Sequence, residues 1–314
     1  MYDTIIIGGG PAGITAGIYA ARKKLNTLLI TKEWGGQIIK APDIQNWPGE
    51  KSISGPDLMR KMVDHLKTFE LEVKEDREVI DLEKKGDNFM IRNDKDEEYE
   101  TKTVIIATGK IPRYLNIPGE EEFKGKGVSF CSTCDAPMFK DKEVAVVGGG
   151  NAGFDTAVDL TKYAKKIYIL EFLEEMKGDS VTKDKLEKTG KVEFYTNVTV
   201  KEIKGRRPGG ASGPEGKDFV ESLIYEDRDT GEDKELKIQG IFIAIGMMPK
   251  AGFAEGLVEF NEIGEIKVDK HNNTKTPGLF AAGDIGDVKY EQIVIAASQG
   301  AISALAAYDY LKKK

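Results

Sequence analysis

Cysteine, histidine and tryptophan are scarce, at two residues each among 314. The histidines, His65 and His271, lie far from Cys131 and Cys134 and share no ligand spacing with them, so a four-ligand structural zinc cannot be assembled and no metal is expected. Long apolar runs are missing as well. Ile5-Ile6-Ile7 is too short for a signal-peptide core, has no basic flank, and no stretch reaches the length of a membrane helix. Clusters of one charge sign are also missing. Lys and Arg number 46 against 53 Asp and Glu, a net charge of −7, with the signs interspersed. That pattern offers no footprint for nucleic acid or an anionic membrane, so neither is expected as a partner. A cytoplasmic location follows, where cysteines stay reduced unless they work. The richness in Lys and Glu hints at a heat-adapted source.

What is present begins with the two cysteines. They stand as Cys131-Ser132-Thr133-Cys134, a spacing within disulfide reach that lowers a thiolate's pKa and lets the pair cycle between dithiol and disulfide. Two unrelated structural cysteines are the alternative, and their single shared spacing counts against it. The 314 residues are long enough for two cores.

Two strand–glycine–helix runs flank the cysteines. Asp3 to Ile7 reads as a strand, passes into Gly8-Gly9-Gly10-Pro11-Ala12-Gly13, and continues into a helical stretch, Ile14 to Lys24. In a dinucleotide fold Gly8 permits the tight turn, Gly10 lets a pyrophosphate approach, and Gly13 lets helix and strand pack; an ordinary βα turn is the alternative. A second strand from Thr27 to Thr31 leads to Glu33, at the offset where a carboxylate accepts from ribose. The pattern recurs as strand Glu143 to Val147, Gly148-Gly149-Gly150-Asn151-Ala152-Gly153, helix Phe154 to Tyr163 and strand Lys166 to Leu170, ending at Glu171. Glu171-Phe172-Leu173 puts a carboxylate and two apolar groups where a 2′-phosphate needs Arg, so NADH is expected over NADPH, tempered if Lys177 reaches the site. Glu171 as a solvated strand end is the other possibility.

Residues 76–104 alternate apolar and polar with turns at Lys85-Gly86-Asp87 and Asn93-Asp94-Lys95, a β meander rather than a crossover. Pro112, Pro118 and Gly119 mark a passage between domains, and Gly246 with Pro249 marks the return. Residues 205–217 read as an exposed hairpin insertion whose two arginines make too short a basic run for nucleic acid. Gly278 to Asp284 reads as a buried strand ending in an acid, ahead of a helix from Gln292 to Lys312. Asp284 either accepts a ribityl or ribose hydroxyl or marks a turn or helix start.

Gly8-Gly9-Gly10-Pro11-Ala12-Gly13, Gly35-Gly36-Gln37, Asn46-Trp47-Pro48-Gly49, Ala107-Thr108-Gly109, Cys131-Ser132-Thr133-Cys134-Asp135 and Ala281-Ala282-Gly283-Asp284 follow in one order along the chain. With these motifs the chain resembles a low-molecular-weight thioredoxin reductase, a class II pyridine nucleotide-disulfide oxidoreductase, from end to end. The resemblance implies an α/β protein of two three-layer, Rossmann-like domains with β meanders, the second inserted in the first. Residues 1–112 and 247–314 would bind FAD, residues 113–246 would bind NAD(P)H and carry the redox pair, and the protein would be a homodimer. Expected FAD contacts are Gly8, Gly10, Pro11, Ala12, Gly13, Thr31, Glu33, Gly35, Gly36, Gln37, Asn46, Ala107, Thr108, Gly109, Gly283 and Asp284, with Gln292 and Ile293 near the flavin ring. Expected nicotinamide-nucleotide contacts are Gly148, Gly150, Asn151, Gly153 and Glu171.

The chain departs from that pattern after the second ribose strand, where most members carry a His-Arg-Arg run. Leu170 to Lys177 resembles instead the NADH-using reductase portion of the alkyl hydroperoxide reductase flavoprotein. That flavoprotein has its own thioredoxin-like domains ahead of the flavin motif, whereas here the motif starts at Gly8, so a separate thioredoxin- or glutaredoxin-like protein is expected as electron acceptor. The family implies hydride transfer from NADH to FAD, reduction of the Cys131–Cys134 disulfide with Cys134 facing the flavin, and attack on the partner disulfide by Cys131. Asp135 either moves protons in the exchange or caps a short helix. Nicotinamide and disulfide cannot share one place beside a flavin, so domain rotation about Pro112–Gly119 and Gly246–Pro249 is expected. Competing readings are a ferredoxin-fed reductase, disfavoured by the retained second glycine motif, and a non-catalytic nucleotide-responsive redox sensor.

Overall fold

A computed structural model describes residues 1–41, 43–206 and 219–313. The chain forms two compact units, Met1–Ile111 with Met248–Lys314, and Pro112–Met247. The passages Lys110–Pro112 and Met247–Pro249 pair as a two-stranded ribbon.

The first unit is built on a seven-stranded sheet. Strands Glu72–Lys74, Thr27–Trp34, Tyr2–Gly9 and Glu98–Ile106 lie side by side and parallel. The far edge of Glu98–Ile106 is shared. Its first half pairs antiparallel with Asn88–Asn93, the middle of a meander with Val79–Lys85, and its second half pairs parallel with Leu279–Ala281. Residues 76–104 are therefore a meander whose last strand also serves the parallel sheet.

Both faces of the parallel strands are buried, which is why Ile5-Ile6-Ile7 reads as an unbroken apolar run rather than an alternation. Ile6, Leu29, Ile105 and Phe280 face the helices Pro11–Arg22, Gly55–Leu66 and Ile293–Lys312. Ile5, Ile7, Leu28, Ile30, Val104 and Ile106 face the other way, against Val79, Leu82, Phe89 and Ile91 of the meander. Each such Ile contributes roughly 2 kcal/mol by leaving water.

The second unit repeats the scheme with a five-stranded parallel sheet in the order Val192–Tyr195, Lys166–Leu170, Glu143–Val147, Gly240–Ile243 and Val128–Ser129. Val144, Val146, Ile167, Ile169 and Phe242 pack on the helix side with Phe154, Ala157 and Leu160 of Asn151–Thr161. Ala145, Val147, Tyr168, Leu170 and Ile241 pack on an antiparallel sheet of Val198–Arg206, Phe219–Asp227 and Glu232–Lys237. Helices, parallel sheet and antiparallel sheet make three layers, the α/β class expected from the sequence. Of the expected insertion at 205–217, residues 207–217 lie outside the described residues.

Several elements differ in extent from their sequence patterns. The first helix begins at Pro11 rather than Ile14, because proline is well placed in a first helical turn. The strand expected over Thr27–Thr31 runs on to Trp34, so Glu33 lies within it. The strand expected over 278–284 covers only Leu279–Ala281, since Gly283 turns the chain with φ of 80°.

One contact sets the strand-to-helix geometry in both units. Gly8 has φ of 121°, and a Cβ on Gly13 would lie 1.9 Å from the Gly8 carbonyl oxygen. In the second unit Gly148 has φ of 114°, and a Cβ on Gly153 would lie 1.8 Å from its carbonyl oxygen. Gly10 differs from both, because its backbone is extended and a Cβ there meets nothing within 4 Å. Gly13→Ala is expected to cost the apoprotein about 3 kcal/mol by overpacking, whereas Gly10→Ala costs within about 1 kcal/mol. Urea unfolding midpoints of the two variants check this ordering.

Candidate functional site

A cavity of about 390 Å³ opens in the first unit where Tyr2–Gly9, Thr27–Trp34 and Glu98–Ile106 end. Carboxyl ends of parallel strands are where such sheets hold ligands. Gly8, Gly10, Pro11, Ala12, Thr31, Glu33, Gly35, Gly36, Gln37, Ala107, Thr108, Gly109, Gly283, Asp284, Gln292 and Ile293 all line it. Two expected contacts do not. Gly13 lies behind the wall, packed on Gly8, because its part is to bring helix and strand together. Asn46 acts through a neighbour, its Nδ2 donating to Gln292 Oε1 at 2.9 Å.

Two helices begin at this cavity, Pro11–Arg22 and Ile293–Lys312, and in neither does a side chain cap the first turn. Uncapped amides and the positive end of the helix dipole favour a negatively charged group there. Open space beside Gly10, Gly36 and Gly109 leaves a cradle that side chains would otherwise fill. The donor set and the space fit an elongated, anionic dinucleotide. Thr31 belongs to the local framework, since its hydroxyl donates to the Glu33 carbonyl at 2.6 Å. Glu33 itself is exposed.

Sequence patterns gave no sign of the charges beside this site. Lys110, Lys250, Arg77, Glu78 and Glu291 also line the cavity. Lys110 Nζ donates to Glu265 Oε1 and Glu291 Oε1, each at 2.6 Å, and the side chains of Lys110 and Glu265 are only 8% exposed. Burial opposes the charge on Lys110, but the bonds to Glu265 and Glu291 outweigh it and hold its pKa above the ordinary lysine value. Lys250 Nζ pairs with Glu78 Oε1 at 2.5 Å.

Asp284 stands at the same place, and the helix after it starts only at Ile293, with Gln292 as the residue before its first turn, so Asp284 is no helix start. Burial raises its pKa above the ordinary carboxylate value, Glu291 and Glu265 add repulsion, and Lys110 partly offsets them.

The second unit shows the same construction around Gly148–Gly153. Glu171 is half-buried rather than simply solvated, and both its oxygens are engaged. Gly149 N donates to Oε2 and Leu173 N to Oε1, the latter at 2.9 Å. The Gly149 carbonyl accepts from Lys177 N and Gly178 N, each at 2.9 Å, so the loop after the strand Lys166–Leu170 folds over the glycine turn. A Cβ on the middle glycine, Gly149, would lie 2.3 Å from Met176 Sδ in this loop. The Lys177 side chain pairs with Glu175 at 3.4 Å. Asn151 Oδ1 accepts from Asp179 N at 2.8 Å, and Gly150 leaves open space before the helix. An arginine does reach this segment, from elsewhere in the chain: Arg228 lies over the Phe172 ring.

Cys131 and Cys134 form a disulfide with Cα atoms 5.4 Å apart, on the one-turn helix Ser132–Asp135 of the second unit. Cys134 is exposed and Cys131 half-buried. The helix is capped by Cys131, whose sulfur accepts from Cys134 N at 3.3 Å, so capping is not the role of Asp135. Asp135 Oδ2 accepts from Ser129 Oγ at 2.6 Å, and Ser129 Oγ accepts in turn from Cys131 N at 3.0 Å. A carboxylate is therefore joined through one hydroxyl to the backbone of the first cysteine. Ser132 Oγ bonds Asp159 Oδ2 at 3.0 Å, tying the redox turn to the helix that follows the glycine motif. Among the described residues no group of three or more His, Cys, Asp and Glu could hold a metal ion, and no helix is long and apolar enough to cross a membrane.

The raised pKa of Asp284 fixes the sign of a stability effect. The native state holds this proton to a higher pH than the unfolded chain, so ionisation above the ordinary carboxylate range costs native stability, and the cost is absent below it. Asp284→Asn is expected to stabilise the apoprotein at neutral pH, with the advantage fading as pH falls toward about 4. Thermal melts of both apoproteins across pH measure it.

Comparison with known proteins bears on the whole chain. Residues 2–300 match the model of the pyridine nucleotide-disulphide oxidoreductase family. A protein of Bacillus subtilis strain 168 named NADH dehydrogenase is 41% identical over 310 residues, covering 99% of this chain and 58% of its own length. A component of the alkyl hydroperoxide reductase of Staphylococcus aureus strain NCTC 8325 is 40% identical, covering 99% of this chain and 59% of its own. The chain thus spans somewhat over half the length of these relatives. Among solved structures, thioredoxin reductase of Lactococcus lactis superposes with a TM-score of 0.80 at 36% identity, covering 100% of both chains. That of T. acidophilum gives 0.74 at 34% identity, covering 98% of each. The chain belongs to the pyridine nucleotide-disulphide oxidoreductase family.

Proposed function

We propose that this protein is a thioredoxin reductase-like flavoprotein disulfide reductase that takes electrons from NADH, in preference to NADPH, and delivers them to the disulfide of a thioredoxin- or glutaredoxin-like protein. The observation that carries the reading is the Cys131–Cys134 disulfide on a one-turn helix hydrogen-bonded to the helix of a dinucleotide-type glycine turn. FAD, when bound, supplies the two-electron relay between a nicotinamide hydride and a disulfide. Residues 1–112 and 247–314 form its binding domain, and residues 113–246 bind the nicotinamide nucleotide.

In this reading the first-turn amides after Gly10 hold the pyrophosphate, and Glu33 and Asp284 accept hydroxyls at the two ends of the dinucleotide. Gln292 and Ile293, at the start of the last helix, lie toward the ring. Gly148 to Gly153 hold the nicotinamide nucleotide, and Glu171 accepts from its ribose while repelling a 2′-phosphate.

Reduced Cys131 attacks one sulfur of the partner disulfide, forming a mixed disulfide and releasing the partner's other sulfur as a thiol, and Cys134 then attacks the Cys131 sulfur and displaces the partner sulfur bound to it. The partner gains two electrons and two protons, and the Cys131–Cys134 bond re-forms. Asp135, held by Ser129, exchanges the proton at the first thiol. The protein works as a cytoplasmic homodimer.

Similarity to a relative named NADH dehydrogenase favours a second reading, in which NADH is oxidised and the electrons reach acceptors other than a disulfide. Cysteine variants separate the two. Cys134→Ser and Cys131→Ser are each expected to keep NADH bleaching of the flavin in rapid mixing and to lose reduction of a protein disulfide by at least about 1000-fold. Disulfide reduction that survives in both would overturn the reading, and NADH oxidation by non-thiol acceptors as the sole activity would establish the second. Asp135→Asn is expected to slow disulfide turnover about 100-fold while the Cys131–Cys134 bond still forms, as followed by steady-state assay and thiol titration.

A further inference from the structure

The segment that presents Glu171 is gripped from a distant part of the second unit. Arg228 lies just after the strand Phe219–Asp227. Its guanidinium carbon is 4.1 Å from the centre of the Phe172 ring, and its Nη1 donates to the Phe172 carbonyl at 2.9 Å and to Asn197 Oδ1 at 3.1 Å. The backbone is bound along the same line. Asn197 N donates to the Leu173 carbonyl at 2.8 Å, Val198 N to the Glu171 carbonyl at 3.1 Å, and Arg228 N to the Asn197 carbonyl at 3.0 Å. Arg228 and Phe172 are both exposed, so neither serves the core.

We propose that Arg228 is a positioning residue for nucleotide selection, clamping Phe172 so that the Glu171 carboxylate is held toward a ribose that carries free hydroxyls. The inference rests on reading the second unit as the nicotinamide-nucleotide site. One of the two amides that fix Glu171 belongs to Leu173, inside the clamped segment. If the Phe172 backbone turns, Leu173 N leaves Glu171 Oε1, and the carboxylate loses half of its fixation. An arginine near an adenosine site is ordinarily a phosphate ligand, because its planar fork matches phosphate oxygens. Here the guanidinium carbon lies over an aromatic ring and Nη1 has two acceptors, an arrangement that spends the cation on holding the loop. The two roles predict opposite effects on selectivity.

The test is isothermal titration of the oxidised FAD-bound protein with NAD+ and with NADP+, for wild type, Arg228→Met and Phe172→Leu, with circular dichroism to verify folding. Arg228→Met is expected to weaken NAD+ about 10-fold and leave NADP+ unchanged or tighter, the scale of one lost charged hydrogen bond and cation–π contact. Phe172→Leu, which removes the ring and keeps the carbonyl, shifts selectivity the same way by a smaller factor. Equal weakening of both nucleotides, or unchanged affinities, would overturn the clamp. A larger loss for NADP+ would make Arg228 a phosphate ligand and overturn it as well. Wild-type protein that binds neither nucleotide sinks the assignment of the second unit itself, an outcome distinct from a failed clamp.

Discussion

The structure depends on a backbone carbonyl pressed against a residue that has no side chain. In each unit a parallel strand, Tyr2–Gly9 or Glu143–Val147, leads into a glycine motif in which Gly8 or Gly148 has positive φ and its carbonyl oxygen would lie within 2 Å of a Cβ on the last glycine. No other residue fits, and the contact sets the angle at which the helix leaves the sheet. That angle determines where the helix N-terminus points, and with it where a negative charge is welcome. The open flank of Gly10 and of Gly150, in front of each helix, follows from the same geometry.

Around the first unit's cavity, charge is arranged asymmetrically. Two helix starts offer positive ends, while Asp284, Glu265 and Glu291 all interact with the ammonium of Lys110. A buried pair such as Lys110–Glu265 is poor support for stability as such, because desolvation offsets much of the attraction. Removing Lys110 is another matter, since it strands the buried Glu265 carboxylate at a cost of about 3 to 5 kcal/mol. The cluster is better understood as fixing geometry. It ties the turn before Ile266 to the passage after Ala107-Thr108-Gly109 and to the approach to the last helix, and the latter two segments line the cavity.

The turn that carries the two cysteines is built from few parts. Cys131 caps the one-turn helix and bonds to Cys134, Ser129 bridges Asp135 to the Cys131 amide, and Ser132 anchors the turn on Asp159. The Ser129 and Ser132 bonds do not depend on the disulfide, because neither uses a sulfur atom.

Local chemistry was legible in the amino-acid order. Strand, glycine turn and helix succeed one another within some twenty residues in both units, the CxxC spacing is local, and the meander shows in its alternation and turns, because sterics and backbone hydrogen bonding act over a few residues. Tertiary structure alone decided what meets across longer distances. Arg228 reaches Phe172, Lys110 reaches Glu265 and Glu291, Lys250 reaches Glu78, and the strand Glu98–Ile106 is shared between meander and parallel sheet. A charged residue in a loop carries no periodic signal, and its partner depends on strand order, which is set only when both faces of each sheet find cover. Side-chain commitments of the same kind, Thr31 to Glu33, Glu171 to Gly149 and Asp135 to Ser129, needed coordinates because one short polar chain has several acceptors or donors within reach until packing selects one.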